Sequence, residues 1–127
     1  MLYAFSNRVK HMKHKEAETI DEIRLKVTVR TLVDNNITGA IILARLYRML
    51  EDQEAVSTKD ILSQSIEDIK KLYRPVSPRG LTPVLRGLEK SKLVESITPY
   101  GRKRPTYWRL TEIGKKVAER VAQELGI

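Results

Sequence analysis

The segment Gly39–Leu50, GAIILARLYRML, is almost continuously apolar and is broken only by Arg45 and Arg48. A helix this apolar must be covered on most of its sides, so the pattern puts it at the centre of the core. The cluster Asp34, Asn35 and Asn36 ahead of it predicts a turn, and the polar run Glu51–Glu54 predicts its end. Upstream, Ile23–Val29 (IRLKVTV) alternates as a half-buried strand does. The same region has capping-box spacing at Thr19 and Glu22 and a Glu22, Lys26, Arg30 ladder of favourable sign order. Residues 19–33 therefore favour a helix, with the strand left open.

Downstream, Ser57 and Asp60 repeat the capping-box spacing, and Ile61, Leu62, Ile66, Ile69 and Leu72 form a helical stripe to about Tyr73. Arg74–Leu81 (RPVSPRGL) holds two prolines and a glycine and predicts a turn. Thr82 as cap and Pro83 at the first helical position then open a short helix, with Val84, Leu85 and Leu88 as its buried face and an end near Lys92. Leu93–Thr98 reads as a strand, Pro99–Pro105 (PYGRKRP) as a loop, and Thr106–Leu110 as the returning strand. Tyr107 and Trp108 are adjacent there and must face opposite sides; one packs in the core, and spacing does not choose which. Thr111 can cap a last helix, in which Ile113, Val117, Val121 and Leu125 recur every four residues.

Charge changes this picture from a helical fold to a binding fold. The net charge is +8, but residues 74–109 alone hold nine Lys/Arg against two Asp/Glu. Residues 1–30 carry seven against four, 31–73 five against seven, and 110–127 three against three. A basic block of this kind suits a phosphate backbone, and its prolines and glycines argue against a membrane-surface helix. Residues 1–18 read as a basic arm, and 19–127 as a single domain. His11, His14 and Glu18 have a spacing that suits metal ligands on one helical face, but a solvated tail accounts for them, and no metal site or cofactor is expected. The chain has no cysteine, no apolar run of membrane-spanning length and no signal-peptide core; the expectation is a cytoplasmic protein without membrane association.

Helix, helix, turn, helix, basic hairpin, helix is the order of a winged helix-turn-helix, a mainly α (α+β) fold with a two-stranded wing and flanking N- and C-terminal helices. One α-helix fits the major groove. Thr82, Arg86 and Lys90, spaced by four, share a face of the candidate recognition helix, with Arg79 in the turn before it. Gly101, Arg102, Lys103 and Arg104 form the wing tip ahead of Pro105, and arginine gains in a narrow minor groove.

Residues 38–111 resemble the C-terminal winged-helix domain of archaeal origin-recognition initiator ATPases, through TGAIILARLYRMLED, VSTKDIL, VSPRGLTPVLRGLEKSKLVESI and YGRKRPTYWRLT. The resemblance implies DNA contacts at Arg79, Thr82, Arg86, Gly101, Arg102, Lys103 and Arg104. Pro78 and Pro83 depart from the family pattern at the start of the recognition helix, and the ATPase module with its phosphate loop is absent from this sequence, so initiator function does not carry over. PTYWRLTEIGKKVAERV is similar to the wing and last helix of MarR and PadR type regulators, which are dimers that repress transcription.

The expected function is binding of double-stranded DNA, as a transcriptional regulator or a replication or plasmid accessory factor. The alternative is a winged-helix module that contacts only proteins. No Ser/His/Asp set or carboxylate pair in an apolar context points to an enzyme or a small-molecule substrate. A homodimer is expected, because Ile20–Val33 has apolar positions on two sides and the last helix has its own apolar repeat.

Overall fold

The computed structural model describes residues 20–72, 76–98 and 106–127. Helix α1 occupies residues 20–35, α2 Ile37–Met49, α3 Thr58–Leu72, α4 Pro78–Lys90 and α5 Glu112–Leu125. The strands are β1 Val56–Ser57, β2 Val94–Ile97 and β3 Tyr107–Leu110. The helix favoured for the first element is therefore present. The turn expected at Asp34–Asn36 shrinks to one residue. Residues 34 and 35 stay helical, and Asn36 breaks the chain with φ −145° and ψ 60°. Its carboxamide oxygen accepts from the Gly39 amide at 3.1 Å, capping α2.

Helix α2 is the centre of the core, with Ala40, Ile41, Ile42, Leu43, Ala44 and Leu46 fully buried. It packs on α5, α3, α4 and β3. Arg45, one of its two interruptions, donates both Nε and Nη2 to the Asp68 carboxylate of α3 at 2.6 and 2.8 Å. These hydrogen bonds raise the Arg45 pKa further above its ordinary value, against a smaller opposing effect of burial. On α3, Ile61, Leu62 and Ile69 are buried as the stripe predicts, whereas Leu72 lies exposed at the helix end.

The hairpin β2–β3 is antiparallel, with Val94 opposite Leu110 and Ile97 opposite Tyr107. A third strand joins it. β1 pairs with β3, Val56 opposite Trp108, so the sheet order is β1-β3-β2. Trp108 is the core member of the aromatic pair: its ring is buried, and its indole N–H donates to Thr58 Oγ1 at 2.7 Å. The Thr58 amide in turn donates to the Thr106 carbonyl. The start of α3 is thereby fastened to the returning wing strand.

Thr111 caps α5 as expected, its hydroxyl accepting from the Gly114 amide. Val117, Ala118, Val121 and Ala122 are wholly buried, because α5 lies against α2. Most of the apolar repeat of the last helix therefore serves this chain's own core and is not available to a second copy; Ile113 stays 54% exposed. Among the described residues, no helix is long and apolar enough to cross a membrane.

Candidate nucleic-acid interface

Helices α3 and α4 are the two helices of the helix-turn-helix, and the start of α4 differs from the sequence expectation. The helix begins at Pro78, not Pro83, and Leu81 is buried within it. Thr82 is not its cap. Ser77 is the N-cap, and the Thr82 hydroxyl donates back to the Pro78 carbonyl at 3.2 Å. The physical reason lies in the core. Leu81, Leu85 and Leu88 fill it together, and a helix opening at Pro83 would leave Leu81 outside. Val84, expected on the buried face, is only half-buried at its edge. Pro78 at the first position costs nothing. Pro83 inside the helix cannot donate to the Arg79 carbonyl, a feature that typically costs about 3 kcal/mol.

The earlier start brings Arg79 onto the helix. Arg79, Pro83, Arg86 and Lys90 follow helical spacing along one stripe, opposite Leu81, Leu85 and Leu88, and all four are exposed. Arg30, Arg45, Arg48, Arg109 and Arg120 each pair with a carboxylate elsewhere in the molecule. Among the described residues, Arg79, Arg86 and Lys90 pair with none. Thr82 is half-buried at the stripe's margin, its proton committed to the backbone. The Ser77 hydroxyl makes no capping bond, and the Gly80 amide donates to the Ser77 carbonyl at 3.1 Å.

The wing root sits against the far end of α4. Ser96 of β2 donates to the Glu89 carboxylate of α4, and Glu95 pairs across the hairpin with Arg109. Neither tie is predicted by the sequence; strand alternation puts Glu95 and Ser96 on opposite faces, but only the packing of β2 on α4 brings Ser96 to Glu89. Gly101, Arg102, Lys103 and Arg104 of the wing tip lie outside the described residues, as do His11, His14 and Glu18 of the arm.

No protein-family model matches the chain, and no curated protein matches it in sequence. Solved structures do share its fold. A single-residue mutant of S. aureus MepR bound to an oligodeoxyribonucleotide is 20% identical, over 89% of this chain and 76% of that one, with a TM-score of 0.53. Bordetella bronchiseptica BpsR, whose DNA binding is regulated by 6-hydroxynicotinic acid, is 16% identical over 94% and 81%, with a TM-score of 0.55. The smu.1704 protein of Streptococcus mutans is 25% identical over 69% and 78%, with a TM-score of 0.52. The fold of this chain is thus a winged helix, shared with the DNA-bound MepR mutant and with BpsR.

Proposed function

We propose that this chain binds double-stranded DNA as a homodimeric transcription regulator, with α4 in the major groove and the wing on the flanking backbone or minor groove. The observation that carries this reading is the stripe of Arg79, Arg86 and Lys90, exposed and without carboxylate partners among the described residues. A row of uncompensated cations on the exposed side of a helix builds the positive potential that a phosphate backbone seeks. The shared fold with MepR, solved on an oligodeoxyribonucleotide, supports it. Thr82 joins the helix contacts in this reading, and Gly101, Arg102, Lys103 and Arg104 form the wing contacts. A regulator is favoured over a replication or plasmid factor because MepR, among the proteins sharing the fold, is a transcription regulator.

The second copy is assigned to α1. Ile20, Ile23 and Val27 are 59, 52 and 57% exposed on the side of α1 opposite the buried Val29 and Leu32, and Ile113 of α5 lies nearby along a shared groove. Two-fold pairing would let two α4 helices meet half-sites about one DNA turn apart. The test is titration of random-sequence duplex at three salt concentrations. Log affinity is expected to fall linearly with log salt, by about 0.9 per neutralised phosphate. Absence of binding by a folded chain would leave the protein-interaction module as the standing alternative.

A further inference from the structure

The outward side of α4 carries residues that a helix disfavours and that the fold does not require. Pro83 is exposed, inside the helix and away from the buried leucines. Gly87, four residues on and also exposed, has open space where a side chain would stand: a Cβ there meets nothing within 4 Å. Both positions would make a better helix as alanine, and nothing packed against them forbids it. Pro83 also sits between Arg79 and Arg86, in the middle of the unpaired basic stripe. It is the one apolar side chain on that stripe. The major groove has one apolar group to offer it, the C5-methyl of thymine.

We infer that Pro83 is a specificity-determining residue whose ring packs on a thymine methyl, with Gly87 keeping the adjoining helix surface low enough for that approach. The inference rests on the reading that α4 enters the major groove. Arg79 and Arg86 flank the ring and hold the helix in register through phosphate or guanine contacts, while the proline selects A·T over G·C at the pair between them.

The experiment uses the full chain and a duplex selected from random sequence, with each thymine of the selected site replaced in turn by uracil, which lacks only the methyl. At one position per half-site the parent should lose about fourfold in affinity, the worth of one buried methyl-sized group at about 0.8 kcal/mol. Pro83→Ser should bind the thymine and uracil duplexes alike and melt no lower than the parent, because serine restores the amide donor. Gly87→Ala should also melt no lower, yet bind the selected site more weakly. Uracil tolerated at every position, or a Pro83→Ser variant that keeps the thymine preference, overturns this inference while leaving DNA binding intact. A chain that binds no duplex overturns both this inference and the reading of α4.

Discussion

At Gly114 a single carbon atom would collide with the backbone it packs on. A Cβ there would stand 1.8 Å from the Leu93 carbonyl oxygen. That oxygen already accepts from the Thr111 amide, and the Thr111 hydroxyl donates to the Lys92 carbonyl at 2.7 Å, so the first turn of α5 is locked onto the turn after α4. Gly114→Ala should therefore lose roughly 3 kcal/mol of stability, and a thermal melt equal to the parent's would refute the docking of α5 there. Lys92 is strained in the other sense. It adopts φ 61° in a Schellman turn, its amide donating to Glu89 and the Leu93 amide to Leu88. Lys92→Gly relieves a left-handed lysine and should gain about 0.5–1 kcal/mol; a lower melting temperature would mean that the lysine side chain contributes more than its backbone costs. Arg86 is exposed, and the proposed reading gives it to binding rather than to folding. Arg86→Ala should cost roughly 1–3 kcal/mol at the preferred site and relax the preference there, with the melt unchanged because the side chain is exposed.

Among the elements, the proposed reading divides recognition between α4 and the wing. The helix was legible as a helix with an outward basic face, because Arg86 and Lys90 keep helical spacing and the leucines supply a buried side. Its start was not legible, since two prolines each satisfy the local rule for a first position and only the need to bury Leu81 selects Pro78. The hairpin was legible from its alternation and its turn residues. Strand β1, two residues long, has no period to read and exists because β3 offers it an edge at Trp108 and Tyr107. The wing tip should act without sequence preference. Replacing Arg102 and Arg104 together with alanine should weaken binding to specific and scrambled duplexes by similar factors. The same change should make the salt slope shallower by about 0.9 for each phosphate no longer neutralised. A wing variant that loses only sequence preference would reverse the roles assigned to helix and wing.

For the whole molecule, the question is what covers α1. One of its sides enters the core through Val29 and Leu32, and its polar flank is tied to α5 by Arg30 with Glu124 and by Arg120 with Glu22. The opposite side leaves Ile20, Ile23 and Val27 in water, an apolar patch that favours association. In sedimentation at roughly tens of micromolar, a concentration at which a working dimer should persist, the parent should run as a dimer. Ile23→Glu combined with Val27→Glu should run as a monomer with undiminished helical circular dichroism. A monomeric parent would remove the proposed pairing of half-sites.

What the sequence determined by itself is everything that neighbours along the chain can decide. The apolar density of Gly39–Leu50 made it the central helix. Ser57 and Thr111 cap α3 and α5 from three residues away, and period-two alternation produced the hairpin. What only the tertiary structure decided depends on residues distant in sequence competing for one interior. Trp108 goes inward because Thr58, fifty residues earlier, can accept its N–H. Val117 and Val121 cover α2 instead of a partner. Pro78, and not Pro83, opens α4 because the core has a place for Leu81. Periodicity states that a face is apolar; only the packed molecule determines what that face meets.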